Sequence, residues 1–107
     1  MTRNHNLPPE FLHEVAEVIR LIGHGQRLRI IEYLDLHGES KVSDIVAALD
    51  APQGAISQHL NKMRLAGIVE ARRDSRTVYY RIAAEHAVTI LNCIRRKYAE
   101  HQGENHE

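Results

Sequence analysis

The sequence contains no tryptophan, one phenylalanine and one cysteine, and aromatic residues make up only 5% of it. Its core must therefore be built from Leu, Ile, Val and Ala. A single thiol, Cys93, forms neither an intrachain disulfide nor a metal cage of several thiolates by itself. No apolar run approaches the roughly 18 residues that a membrane span needs, and residues 1–20 lack the apolar region of a signal peptide. We therefore expect a cytoplasmic protein that does not bind a membrane.

The chain also lacks a net charge, but its charges are unevenly distributed. Residues 1–52 hold five Lys or Arg against eight Asp or Glu, residues 53–81 hold six against two, and residues 82–107 hold three against four. A local patch of positive charge attracts phosphates even where the total charge is zero. The distribution therefore indicates a nucleic-acid partner for the middle third of the chain.

The length of 107 residues suits one domain and is short for two. Hydrophobic residues make up 43% of the chain and charged residues 26%, which is typical of a globular protein. Residues 1–7 and 102–107 are polar and unpatterned, so we interpret them as ends outside the core. We predict a single domain over residues 1–107, with an ordered core over about residues 9–101.

Apolar residues recur at helical spacing in several segments of the first two thirds of the chain. The first segment begins at Pro8 and Pro9, which suit a first helical turn, and it ends at residues 23–25. The second segment ends near Gly38, a residue type suited to a helix C-terminus. A third and shorter segment covers about residues 42–49. Three helices are predicted here.

The fourth predicted helix covers about residues 53–66. Pro52 is tolerated at a helix start but not inside a helix, and Gly67 is suited to end it. A helix of about eight residues, a turn of three or four residues and a longer helix together form a helix-turn-helix. Within the fourth helix, Ile56, Leu60 and Met63 form a thin apolar line, and polar residues surround it.

After Gly67 the period of the apolar pattern changes. Apolar and charged residues alternate over residues 68–82, with a turn at Asp74 and Ser75, which predicts a two-stranded hairpin. An isolated hairpin is barely stable in water, so one of its faces must pack on the helices. A last helix is predicted over residues 85 to about 100. The tip of the hairpin is basic and carries Arg72, Arg73 and Arg76.

The predicted order is four helices, two strands and one helix, which makes the protein mainly α with a small β-hairpin. A helix-turn-helix followed by a basic hairpin is a winged helix-turn-helix, in which the second helix of the motif enters the major groove of DNA. A polar face alone would fit a solvated helix equally well, but the adjacent arginines favour DNA. The candidate DNA-binding residues are Gln53, Gly54, Ser57, Gln58, His59, Asn61, Lys62, Arg64, Arg72, Arg73, Arg76 and Thr77.

Three runs, GHGQRLRIIEYL, VSDIVAAL and AISQHLNKMRLAGIVEARRDSRTVYYRI, resemble the arsenical-repressor (ArsR/SmtB) family of bacterial winged-helix regulators. The resemblance covers about residues 12–100. It implies a homodimer formed mainly by the first and last helices, a fourth helix that reads operator DNA, and release of the DNA by an inducer. Four positions depart from the family pattern and put the operator sequence in doubt: Gly25, Pro52, Gly54 and Ser75.

The resemblance also implies places where an inducer would bind. The thiolate metal site of the family has no counterpart, because Lys41, Val42, Ser43 and Asp44 stand at its positions. Of the four ligands at the family's interface site for zinc, cobalt or nickel, only His86 and Glu100 survive, since Ala84 and Lys97 replace the other two. Zinc requires four ligands, so a metal site would need further residues. The candidates for completing it are His101, His5 and His13.

A redox sensor of this family pairs two cysteines, whereas this chain has only Cys93. Arg96 and Lys97 lie near it and would favour a reactive thiolate. The alternative, which we prefer, is that Cys93 is a small apolar residue of the core or the dimer interface. Nothing in the sequence indicates an enzyme, since it contains no Gly-rich phosphate loop, no nucleophile elbow and no close cluster of Cys, His and acid.

These observations predict a sequence-specific DNA-binding regulator, a repressor that occupies a near-palindromic operator as a homodimer. Helix 53–66 is expected to recognise the DNA, and the basic wing 70–82 is expected to contact its flanks. We expect no cofactor. Two alternatives remain open: a sensor that holds zinc or nickel at a degenerate site of the last helix, and a winged helix that binds proteins without DNA.

Overall fold

The computed structural model describes residues 6–105 of the chain. Expectations that fall on residues 1–5 and 106–107, including the metal-binding role of His5, lie outside the described residues. The chain forms five helices and three strands in the order α1 (Pro9–Ile22), α2 (Gly25–His37), β1 (Ser40–Lys41), α3 (Val42–Leu49), α4 (Gln53–Leu65), β2 (Val69–Asp74), β3 (Thr77–Ile82) and α5 (Glu85–Asn105).

This order confirms the predicted winged helix-turn-helix, with two additions. The two-residue strand β1 was not predicted, because two residues carry no measurable alternation. It pairs antiparallel with β3, so that the sheet has the strand order β1-β3-β2. In addition, α5 continues beyond its predicted end near residue 100 to Asn105. No proline stops it there, and helical hydrogen bonds do not require apolar side chains.

The core lies where α2, α3 and α4 meet the base of the wing. It is aliphatic, as the shortage of aromatic residues predicts. Each of its large side chains stabilises the fold by about 2 kcal/mol, since about 25 cal/mol is gained per Å² of apolar surface removed from water. The large side chains that are fully buried are Ile30, Ile31, Ile45, Ile56, Leu60, Met63, Ile68 and Val69.

The bounds of α4 follow from the residues at its ends. Pro52 occupies the N-cap with φ −61° and ψ 140°, an extended conformation from which a helix can start. At the other end Gly67 has φ +80°, and its N–H donates to the carbonyl of Arg64 at 3.0 Å. The N–H of Ile68 donates to the carbonyl of Met63 at 2.8 Å. These two bonds satisfy carbonyls that the helix end leaves open.

Helix α5 presents one apolar face of which only the first half is covered. Ala87 and Leu91 on this face are buried in the core. Ile94 and Tyr98 continue the same face at helical spacing but are 50% and 63% exposed. The second half of α5 therefore extends past the core with its apolar face uncovered.

Helix α1 has a comparable uncovered face. Val18 and Ile22 are buried, whereas Leu12 and Ile19, seven residues apart on another side of the helix, are 50% and 51% exposed. In the structure the buried face of α1 passes through Val18 and Ile22, so Ile19 lies outside it. Phe11 at the start of α1 is also exposed at 39%.

The wing turn contains strain that a substitution can test. Ser75 lies at the first position of the two-residue loop between Asp74 and Thr77 and has φ +62°. A side chain in this conformation costs about 1 kcal/mol, and glycine avoids the cost. We expect Ser75→Gly to raise the free energy of unfolding by up to about 1 kcal/mol in urea denaturation. Ser75→Ala is the matched control, and an equal gain in both variants would contradict the explanation.

Candidate nucleic-acid interface

Most of the polar residues of α4 lie on one side of the helix. At 3.6 residues per turn, six of the predicted DNA-binding residues fall within an arc of about 140°. This arc lies away from the buried stripe of Ile56, Leu60 and Met63. All six are exposed except Ser57, which is partly exposed. They are Gln53, Gly54, Ser57, Gln58, Asn61 and Arg64.

Two of these six residues are bonded to each other, and a lysine lies next to the arc. The Nη2 of Arg64 donates to the Oδ1 of Asn61 at 2.7 Å, so the amide group of Asn61 remains available as a donor. Lys62 is exposed just beyond Gln58 around the helix and makes no ion pair with the residues that the structure describes. The face thus presents amide groups, a hydroxyl and cations.

His59 lies on another side of α4, about 160° around the helix from Ser57 and Asn61. Its Nδ1 accepts a hydrogen bond from the Nε of Arg27 at 3.0 Å, and its Nε2 lies 3.1 Å from the Oε1 of Gln26. Since Nδ1 accepts, the proton of the neutral ring is on Nε2, which donates to Gln26. The predicted role of His59 in DNA binding therefore competes with these bonds, because both ring nitrogens are occupied by residues of α2.

The surroundings of His59 favour its neutral form. Partial burial lowers its pKa from the ordinary value of 6.5, and electrostatic repulsion from His24, Arg27 and Lys62 lowers that pKa further. The ring of His24 lies 4.6 Å from that of His59, measured between centroids. His59 is therefore an uncharged, partly buried residue between α4 and α2.

In the wing, Arg72 is engaged within the protein. Its Nη2 lies 2.9 Å from the Oε1 of Glu39, its Nε donates to Oε2 of the same carboxylate at 3.0 Å, and its guanidinium lies 4.9 Å from the centre of the Tyr79 ring. The hydrogen bond from Arg72 lowers the pKa of Glu39, and the bond from Glu39 raises the pKa of Arg72. The sequence-predicted role of Arg72 in DNA binding thus competes with an internal ion pair.

The other two predicted arginines of the wing are differently placed. Arg73 is the second-last residue of β2 and Arg76 lies in the loop of the hairpin, and both are exposed. Neither forms an ion pair with residues in the described range 6–103. Thr77 begins β3 beside them and is partly exposed. The uncompensated positive charge of the wing is therefore at its tip.

The candidate metal ligands are not brought together within one chain. The Nε2 of His86 lies 3.1 Å from the Oε2 of Glu14, and the Oε1 of Glu100 lies 3.6 Å from the Nζ of Lys97. His86 and Glu100 are fourteen residues apart on α5, which is about 21 Å along a helix, and His101 lies one residue further. Across the described residues, no three His, Cys, Asp or Glu side chains converge as a metal site would require.

Cys93 is exposed on α5 as a free thiol. The interpretation of Cys93 as a core residue is therefore wrong for the single chain, because Ala87 and Leu91 occupy the inward face of α5. The placement of Cys93 at the dimer interface stays a prediction. Concerning membranes, none of the helices in the described part of the chain combines the length and the apolar content needed to cross one.

The sequence pattern missed Gln26, Arg27 and Glu39, which hold predicted site residues in place. Gln26 and Arg27 are 33 and 32 residues away from His59. Glu39 is 33 residues away from Arg72. Helical or strand periodicity relates only neighbours within an element, so no local signal identifies such pairs. The one hint is the polar run GHGQR before the apolar residues of α2.

Comparison with known proteins agrees with this architecture. Residues 24–71 match the family described as "Bacterial regulatory protein, arsR family". The biofilm growth-associated repressor of Agrobacterium fabrum is 35% identical over 81 residues, which cover 76% of this chain and 68% of that protein. The transcriptional repressor PagR of Bacillus anthracis is 32% identical over 94 residues, which cover 85% of this chain and 94% of that protein.

Solved structures have the same fold. The crystal structure of PagR superposes with a TM-score of 0.74 at 30% identity, covering 81% of this chain and 99% of that one. The solution structure of the homodimeric winged helix-turn-helix DNA-binding domain of Mb0332 from Mycobacterium bovis gives a TM-score of 0.76 at 30% identity, covering 100% and 98%. This chain belongs to the arsR family of bacterial regulatory proteins and is a winged helix-turn-helix transcriptional regulator.

Proposed function

We propose that the protein is a homodimeric repressor that occupies a near-palindromic operator in the cytoplasm, with α4 in the major groove and the wing on the flanking backbone. The observation that supports this most is the polar face of α4 combined with the uncompensated arginines at the tip of the adjacent wing. Two of the relatives, PagR and the biofilm growth-associated repressor of Agrobacterium fabrum, are named as repressors.

The side chains of the α4 face suit the reading of base edges. Gln53 and Gln58 each offer a donor and an acceptor on one planar amide, which is the pattern that pairs with adenine in the major groove. Ser57 can bond a base or a phosphate. We assign base contacts to these three residues. Gly54 has no side chain, so it allows the backbone of α4 to approach the DNA closely.

The remaining polar residues are assigned to the DNA backbone, where they set the register without reading sequence. Arg73 and Arg76 are expected to contribute most to phosphate binding, because no carboxylate in the described part of the chain pairs with them. Arg72 would contribute less, because Glu39 already holds it. His59 is omitted from the contacts because it faces α2. The proposed backbone contacts are Asn61, Lys62, Arg64, Arg73, Arg76 and Thr77.

Dimerisation is proposed from the uncovered faces of α1 and α5. Leu12, Ile19, Ile94 and Tyr98 are each at least half exposed, and a second copy of the chain is the simplest cover for them. The related Mb0332 domain is a homodimer. Two α4 helices related by a twofold axis would read half-sites about one helical turn, or 34 Å, apart.

The protein-interaction alternative fits the α4 face less well. A surface that binds a protein partner exposes apolar and aromatic side chains at its centre. The arc of α4 from Gln53 to Arg64 instead exposes amides and a guanidinium, with Leu65 at its end as the exposed large apolar side chain. DNA is the better match for this composition.

The division between backbone and base contacts can be tested by alanine substitution. Arg76→Ala is expected to weaken binding to operator and random DNA alike and to reduce the slope of log K against log salt by about one, because one phosphate contact is lost. Gln58→Ala is expected to relax the preference at particular base pairs, by about 1–3 kcal/mol at each. Fluorescence anisotropy at several salt concentrations measures both.

The matched control for charge removal is Arg20→Ala. Arg20 is an exposed arginine on α1 that is paired with Glu17 and lies outside the proposed interface. Its removal should leave the salt slope unchanged, and Arg72→Ala should fall between the two. Equal losses on operator and random DNA for both Arg76→Ala and Gln58→Ala would contradict the division.

The dimer is tested by placing a charge on its proposed interface. Ile94→Glu should raise the dimer dissociation constant at least about tenfold, since a carboxylate would be buried without a partner. Leu36→Glu is the matched control, because Leu36 is 65% exposed on α2 and outside the uncovered faces. Sedimentation velocity at micromolar concentration distinguishes the two, and a monomeric native protein would refute the proposal.

A resident zinc or nickel ion is not part of this proposal. His86 and Glu100 are too far apart to share an ion within one chain, so a site would have to form between subunits. Calorimetric titration of the dimer with zinc and with nickel is expected to show no binding tighter than micromolar. Tighter binding that is lost in His86→Ala would establish the sensor alternative.

A further inference from the structure

A polar cluster behind the recognition helix has no part in the contacts assigned above. It consists of His24, Gln26 and Arg27 at the start of α2, the backbone carbonyl of Leu21 in α1, and His59 in α4. We propose that neutral His59 is a positioning residue that holds α4 in the orientation needed for sequence-specific binding, and that protonation of this ring reduces specificity. This inference rests on the proposed role of α4 in reading DNA.

Arg27 joins three helices in this cluster. Its Nη1 donates to the carbonyl of Leu21 at 3.0 Å, near the C-terminal end of α1, and its Nε donates to the Nδ1 of His59 at 3.0 Å. Gln26 completes the hold on His59 from the other ring nitrogen at 3.1 Å. The imidazole is therefore held at two points, which restrains the rotation of α4 about its own axis more than one bond would.

His24 keeps Gln26 in position. As the N-cap of α2, its Nδ1 accepts a hydrogen bond from the backbone N–H of Gln26 at 3.3 Å. Its ring also lies tilted against that of His59. The two histidines thus fix the first turn of α2 and the middle of α4 relative to each other.

The cluster accepts only the neutral form of His59. A proton on Nδ1 would point at the N–H of Arg27, so the hydrogen bond between them would be lost and two donors would oppose each other. The cationic groups that face the ring are Arg27 on α2 and Lys62 on α4, and the titratable ring of His24 lies beside it; electrostatic repulsion from each of them lowers the pKa of His59. A positive ring would therefore leave this position.

Bound DNA would not stabilise protonated His59 in its position against α2. Phosphates raise the pKa of a nearby histidine, but the ring lies about 160° around α4 from Ser57 and Asn61 on the proposed DNA face. A charged His59 could reach a phosphate only by leaving Arg27 and Gln26. The protein would then bind any DNA sequence more tightly, while α4 would lose the bonds that position it.

The folding stability of the free protein should also decrease as the pH is lowered. Because the folded state lowers the pKa of His59 below 6.5, the folded protein binds fewer protons than the unfolded chain around that pH. The contribution of the cluster is fully present above the unfolded pKa and is lost as pH falls through the folded pKa. Acidification through this range is expected to destabilise the wild type more than a variant without the titrating ring.

The experiment compares the ratio of operator to random-DNA affinity at about pH 7.5 and about pH 5.5, at constant salt. In the wild type we expect this ratio to fall on the order of tenfold on acidification, the effect of losing one charge-assisted hydrogen bond. His59→Gln retains a donor and an acceptor but does not titrate, so its ratio should change by less than about twofold. Arg27→Gln should lower the ratio at both pH values.

Two control variants isolate the ring of His59. His37→Gln removes a histidine of α2 that stacks on Tyr33 outside the cluster, and it should behave as the wild type. His24→Asn keeps a capping acceptor but removes the neighbouring titratable ring, and its pH dependence should persist. A pH dependence in His59→Gln equal to that of the wild type would overturn the proposal, as would a constant ratio in the wild type.

A measurement without DNA separates this inference from the proposed function. Nitrogen-detected NMR titration of the free protein should show His59 as the Nε2–H tautomer at neutral pH, with a pKa below the ordinary value of 6.5. The opposite tautomer, or a raised pKa, would overturn the positioning role even in a protein that binds DNA. If no salt-dependent DNA binding is found at all, the proposed function fails, while the NMR result still decides the state of His59.

Discussion

The burial of one apolar stripe on α4 determines the orientation of this helix and therefore which of its side chains face outward. Ile56, Leu60 and Met63 are fully buried, and their removal from water stabilises the fold by about 2 kcal/mol for each side chain. An exposed ion pair contributes about 0.5 kcal/mol, so no charge on α4 could turn the helix against this stripe. The polar face is outward because the apolar one is held in the core.

Ion pairs and hydrogen bonds within the protein determine which cationic side chains of residues 53–81 remain available to bind an anion. Six Lys or Arg lie in residues 53–81, but carboxylates within the protein hold two of their side chains. Arg72 is held by Glu39 and Arg81 by Glu70, whereas Arg64 is bonded to the neutral amide of Asn61, which leaves its charge uncompensated. Lys62, Arg64, Arg73 and Arg76 are left for an external anion. His59 favours its neutral form because it is partly buried and its surroundings contain the cations Arg27 and Lys62 but no carboxylate partner among the described hydrogen bonds and ion pairs.

Much of the fold was predictable from local pattern, because helices and hairpins are defined by periodicity and by the residues that end them. Pro52 and Gly67 bracket α4 as expected, and the polar residues of α4 were identified without a structure. Strand β1 was not, since two residues give no alternation. Periodicity also shows that a side of a helix is apolar but not which neighbour covers it, so the exposure of Ile19 in the single chain is known only from the structure.

The sequence by itself determined the order of the elements, the apolar stripe of α4, the basic wing and the family resemblance. Only the tertiary structure decided the roles of His59 and Arg72, which look like neighbouring polar residues along the chain but are held by Arg27 and Glu39, each more than thirty residues away. The physical reason is that a side chain's partner depends on which elements the core brings together. The free energy of that packing is distributed over the whole chain and is not recorded in any local segment.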